Sequence, residues 1–233
     1  MNVLAIETTA GACSVALAGE HGLAERFEPM LRGQAERLLP LTEAVLADAG
    51  VGYAALDLIA VATGPGTFTG LRVGLAAARG LALATARPCL GVTSFEAVLE
   101  AERATAQSVW GRGEAVLVVL DSRRREVFAQ AFLAPDGAPA PAVVARPEQL
   151  AEHFGGARAG SLGLVVGSAA TIVGASLGRN HGEIRPLVTE SQPRAAAVAR
   201  VALRRWRNGE RPTRPPDPVY LRPPEIGGGS PAP

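Results

Sequence analysis

Apolar runs of four or five residues alternate with longer helical periodicities through the first half of the chain. Residues 3–6 and 14–17 read as strands joined by the small-residue turn Thr8-Thr9-Ala10-Gly11-Ala12, and residues 23–27 offer a third strand. Residues 34–49 carry helical spacing that stops at Gly50. A buried strand at 58–62, a helix at 69–84, a strand at 89–92 and a helix opening near the cap candidate Ser94 follow.

The opening pattern then recurs. Residues 116–128, VLVVLDSRRREVF, again give strand, acid, hydroxyl, turn and strand. Glu7-Thr8 superposes on Asp121-Ser122 without a gap, which predicts a duplicated fold whose halves each open with an antiparallel pair. Clear elements thin out afterwards to a helix near 147–154, a strand at 163–167 and a helix at 194–206. The division expected is a lobe at 1–110, a reduced lobe at 111–225 and a flexible tail at 226–233. The proline-rich stretch 211–218 cannot be helical and predicts an extended arm across the body.

GPGTFTGLRVG, residues 64–74, has the look of a phosphate loop. A Walker loop needs a lysine, and all 23 basic residues here are arginines. Gly64, Gly66 and Gly70 are spaced one residue too long for a dinucleotide fingerprint. The glycines then serve geometry: positive φ at Gly64 and Gly66, a bend fixed by Pro65, and a cap from Thr67 or Thr69.

The helix at 69–84 is apolar nearly all round, with Arg72 and Arg79 on one narrow stripe. Gly70, Gly74, Ala78 and Ala82 form a small-residue ridge along it. The helix at 34–49 sets Leu38, Leu41 and Val45 on one side and Leu39 and Leu46 on another. Either both helices are sandwiched inside their own lobe, or they present a partner surface.

At 233 residues and 48% hydrophobic content the chain can bury a sizeable core. Its formal charge of +1 argues for neither nucleic-acid nor membrane binding, and the clusters Arg123-Arg124-Arg125 and Arg204-Arg205-Trp206-Arg207 read as solvated faces. Cys13 and Cys89 read as buried reduced thiols. The start lacks a basic n-region and no apolar run spans a bilayer, so a soluble cytoplasmic protein is expected, with no membrane association.

LAIETTAGACSVAL, TGPGTFTGLRVG, LDSRRREVFAQAF and PVYLR resemble, in this order and spacing, the bacterial TsaB (YeaZ) family, over nearly the whole chain through Arg222. The resemblance implies a two-lobed actin-like, Hsp70-like α/β ATPase fold with a reduced second lobe. It implies a pseudoenzyme of tRNA threonylcarbamoyladenosine formation that pairs as a heterodimer with a TsaD-like catalytic paralogue. A TsaE-like ATPase docks on that pair, and tRNA contact is indirect. No cofactor is implied. The pairing surface would lie on the two helices, here Leu38, Leu41, Val45, Gly70, Leu71, Gly74, Leu75, Ala78 and Ala82. A charge at Leu75 or bulk at Gly74 would then abolish pairing without unfolding the chain, and without the partner the same surface would form a homodimer. The chain departs from the family at Glu7, where an aspartate is usual, at Gln34, where a histidine is frequent, and at Arg124 and Arg125.

No catalytic or metal-binding set emerges. The histidines are His21, His153 and His181, and none forms the pair four apart that places two imidazoles on one helix face. Gly167-Ser168-Ala169 lacks the closing glycine of a nucleophile elbow. The alternative is an active actin-like kinase or ATPase holding a magnesium nucleotide between Glu7 and Asp121, and a residual nucleotide site would use Glu7, Thr8, Thr9 and Asp121.

Overall fold

The computed structural model describes residues 1–20, 22–133, 138–154, 162–180, 187–189 and 191–222. The expected tail at 226–233 lies outside them, as do His21 and His181. Two mixed sheets form two lobes. The first comprises β1 (Val3–Glu7), β2 (Ala12–Gly19), β3 (Gly22–Pro29), β4 (Leu58–Ala62) and β5 (Cys89–Val92), in the order β3-β2-β1-β4-β5. The second comprises β6 (Ala115–Asp121), β7 (Val127–Leu133), β8 (Ala138–Pro139), β9 (Val143–Ala145), β10 (Leu162–Val166) and β11 (Leu187–Thr189), in the order β11-β10-β6-β7-β8 with β9 also on β7.

Read from the opposite edge, the second order repeats the first. β1 and β6 each pair antiparallel with the following strand and parallel with a later one, β4 or β10. The duplicated hairpins expected from sequence are therefore present, with Glu7 and Asp121 both closing the central strand of their sheet. The fold is the two-lobed α/β architecture expected, with the outer strands of the second sheet, β8, β9 and β11, only two or three residues long.

Helices α1 (Gln34–Asp48) and α2 (Phe68–Thr85) cover one face of the first sheet. Their inward stripe, Leu38, Leu41, Val45, Leu71, Leu75 and Ala78, packs on Leu4, Ile6, Val15, Ile59 and Val61, each at most 4% exposed. Thr67 caps α2, its hydroxyl accepting from the Gly70 amide. Thr93, rather than Ser94, caps α3 (Ser94–Ala101), in a reciprocal box with Glu96. Thr93 holds the extended backbone that a cap requires, whereas Ser94 is already helical.

The chain continues through α4 (Arg103–Gly111), α5 (Leu150–Phe154), α6 (Ala170–Asn180) and α7 (Ala195–Arg207). The repeats exchange their last helices. Phe95 and Val98 of α3 join the core of the second sheet with Val116, Val118 and Leu164. From α7, Ala195, Val198, Val201 and Ala202 pack on Val3, Ala5, Ala16 and Leu58 of the first sheet. The opening amides of α7 are satisfied there too, Ala195 donating to Ser14 Oγ (3.0 Å) and Ala196 to Glu25 (2.9 Å). Although the second lobe was expected to run to residue 225, α7 thus lies on the first sheet. Its alanines fit against small residues of β1 and β2.

Candidate functional site

The turns after β1 and β6 face each other across a cleft between the lobes. Glu7 ends β1 fully buried. Its Oε1 accepts from the Thr9 amide (2.6 Å) and from the Thr9 hydroxyl, which lies 2.9 Å from Ser94 Oγ. Oε2 has no partner among the described residues. Burial outweighs the Thr9 hydrogen bonds and pushes the carboxyl up to about 7.

The glycine loop secures this turn to α2. Thr8 Oγ1 donates to the Gly70 carbonyl (2.7 Å), and the Thr67 amide donates to the Thr9 carbonyl (2.7 Å). A Cβ at Gly66 would collide with the Thr9 carbonyl, one at Gly70 with the Thr8 carbonyl, and one at Gly74 with the Thr8 hydroxyl. Of the two glycines expected at positive φ, Gly64 has it (95°) and Gly66 does not; Gly66 is needed for close approach instead.

The residues of the expected partner surface are for the most part buried in the same packing. Leu38, Leu41, Val45, Gly70, Leu71, Gly74, Leu75 and Ala78 are buried against their own lobe, and Ala82 is half-buried. Along the small-residue ridge, Gly70 and Gly74 admit the β1–β2 turn and Ala78 packs on the sheet. The outward faces carry Leu39 and Pro40 on α1, and Ala76, Gly80, Leu83 and Ala84 on α2. Leu83 is 84% exposed, and a Cβ at Gly80 would meet nothing within 4 Å.

Across the cleft, the Asp121 amide donates to Ser168 Oγ (3.0 Å), and its carboxylate accepts from the Arg123 amide (2.7 Å). Arg123 takes φ 60° and reaches the first lobe's turn, its guanidinium 3.1 Å from where a Cβ on Gly11 would stand. Arg123, Arg124 and Arg125 are exposed, as expected of a solvated face, and Arg123 and Arg124 also line the cleft. Thr9, Gly66, Asp121, Arg123 and Ser168 line a cavity of about 130 Å³. Beside it lies one of about 400 Å³ that shares Asp121 and Arg123.

The actin-like fold implies a metal-bound nucleotide between such lobes, and these residues do not fit it. Glu7 lines neither cavity, Thr8 is turned onto α2, and Asp121 is held by Arg123. Of the four candidate nucleotide residues, Thr9 and Asp121 share a cavity. Among the described residues, no three of His, Cys, Asp and Glu converge as metal ligands. Burial pushes the Cys13 and Cys89 thiols up to about 12 and about 11, so neither supplies a ready thiolate.

The proline-rich arm is extended, as expected, and runs from α2 to the cleft. Arg79 donates to the Pro216 carbonyl (2.6 Å) and pairs with Asp217 (3.2 Å), while Arg72 Nε donates to Tyr220 Oη (3.3 Å). The Val219 amide donates to the Thr63 carbonyl (2.8 Å), and Arg222 pairs with Glu126 of the second lobe (2.6 Å). The arginine stripe of α2 is the arm's seat. Sequence reasoning noticed PVYLR without placing Tyr220 or Arg222 in the cleft; the sevenfold spacing of Arg72 and Arg79 was the available signal.

The TsaD family, tRNA N6-adenosine threonylcarbamoyltransferase, matches residues 28–136. The TsaB protein of Escherichia coli, named for tRNA threonylcarbamoyladenosine biosynthesis, is 35% identical over 130 residues, 55% of this chain and 53% of its own. The chain spans about half the length of the curated relatives it matches. A tRNA N6-adenosine threonylcarbamoyltransferase of Erythrobacter litoralis is 46% identical over 65 residues, 28% of this chain and 19% of its own. The solved structure of YeaZ from Pseudomonas aeruginosa superposes with a TM-score of 0.73 at 28% identity, covering 94% of this chain and 99% of that one.

Proposed function

The chain belongs to the TsaB (YeaZ) family, and from that premise we propose that it serves tRNA threonylcarbamoyladenosine formation as a non-catalytic scaffold subunit paired with a TsaD-type transferase. The observation that carries this reading is the pair of α1 and α2 outer faces, where Leu39, Ala76, Gly80 and Leu83 are exposed on rigid helices seated on the sheet. Apolar groups left open on ordered elements mark interaction surfaces, and small residues such as Ala76 and Gly80 admit close helix approach. The sealed Glu7 and the engaged Asp121 favour a scaffold over a kinase. A TsaE-type ATPase docks on the assembled pair, and without the transferase the same helix faces join two copies of this chain.

The test is co-purification with the TsaD-type transferase of the same organism. Leu83→Glu and Gly80→Arg are expected to lose the partner while keeping wild-type circular dichroism. Leu75→Glu should instead unfold the chain, since it places a carboxylate in the core. Wild-type recovery of partner by both outer-face variants would refute the assignment.

A further inference from the structure

The 400 Å³ cleft is lined by three arginines, Arg123, Arg124 and Arg222, by the buried Phe128, and by two exposed aromatic rings, Phe68 and Tyr220. Both rings are 40% exposed, with centroids 5.6 Å apart and planes inclined at 36°. The Arg72 guanidinium lies 3.6 Å from the Phe68 centroid and its Nε donates to Tyr220, so the ledge is held in place before any ligand arrives. Arg222 is fixed by Glu126 and lies 5.7 Å from the Phe128 ring, and Arg123 is fixed by its own turn. Asp121 is the acid that lines the same cleft.

Arginine forks recognise phosphate oxygens bidentately, and aromatic faces stack bases irrespective of sequence. An acidic peptide would use the arginines and leave the rings without a role. We propose that this cleft binds single-stranded RNA directly, with a base stacked on the Phe68–Tyr220 ledge and its flanking phosphates on Arg123, Arg124 and Arg222. The contact goes beyond the indirect relation to tRNA that the family resemblance implies. It uses the cleft rather than the helix faces proposed for the transferase, so either assignment can fail without the other.

Fluorescence anisotropy of the purified full chain with a labelled ten-nucleotide RNA tests this. Tyr220→Ala should weaken binding roughly five- to 150-fold, the range for losing one base stack, and Tyr220→Phe should retain it. Arg124→Gln, in the turn that follows β6, should reduce the slope of log affinity against log salt by about 0.7. Thermal melting of each variant confirms that the fold is kept. Absence of RNA binding by the wild type, unchanged binding by Tyr220→Ala and Arg124→Gln together, or equal competition by oligoglutamate would overturn the proposal. Loss of transferase pairing in the helix-face variants with RNA binding intact would leave it standing.

Discussion

Replacing Glu7 by glutamine isolates the cost of a sealed carboxyl. In the folded chain burial raises this group from about 4.5 to about 7, whereas in the unfolded chain it titrates near its ordinary value. Folding therefore retains a proton that the unfolded chain releases between those values. Stability from this group is complete below about pH 4.5 and is lost as pH rises through 7. A rise of about 2.5 in pKa, at about 1.4 kcal/mol for each pH decade, corresponds to ~3.5 kcal/mol over the whole titration, an order-of-magnitude figure. Glutamine keeps the oxygen that accepts from Thr9 and cannot ionise, so Glu7→Gln should lack this pH dependence. Equilibrium urea unfolding of both proteins from pH 5 to 8.5 measures the difference directly. The variant should gain on the wild type by ~2.5 kcal/mol across that range, the part of the titration that lies above pH 5, with its melting point rising by about 2–4 °C per kcal/mol. A wild-type-minus-variant difference that stays constant with pH would refute the reasoning, because other titrating groups cancel in the comparison.

Two glycines of α2 should respond oppositely to alanine. Gly80→Ala meets open space and should stabilise the isolated chain by about 0.5–1 kcal/mol in urea unfolding, whereas Gly70→Ala strikes the Thr8 carbonyl and should cost about 1–3 kcal/mol. Arg79→Ala removes the hydrogen bond to the Pro216 carbonyl, worth about 1 kcal/mol, and should speed amide exchange at Val219 roughly fivefold, read by NMR. In co-purification, Leu83→Glu should separate from Leu75→Glu, the first losing partner and the second losing fold.

Periodicity exposed the duplicated hairpins because strand, acid and turn are local signals, and β4 and β5 fall where the apolar runs lie. It also found α2, but not which side of α2 faces inward. Gly70, Gly74 and Ala78 suit a neighbouring subunit or a neighbouring strand equally well, since a small residue records close approach and not the identity of what approaches. The exchange of α3 and α7 between sheets was hidden for a related reason: alanine-rich faces fit either sheet, and the choice depends on Ser14 and Glu25, far away in sequence. Helix α6 is legible only as a helix that follows a turn at Ser168, without bounds, because β-branched Thr171, Ile172 and Val173 and the internal Gly174 obscure its spacing. The cleft was half legible: Asp121 and the arginine run stood out, but the arm that brings Tyr220 and Arg222 to Phe68 is a tertiary event.

Hydrogen exchange of the chain alone and bound to the TsaD-type transferase tests the central claim most directly. Slowed exchange concentrated in peptides covering α1 and the 76–84 segment of α2, with the second lobe unchanged, is the expected result. Protection confined to the second sheet, or none on either helix while the complex stays intact, would contradict it.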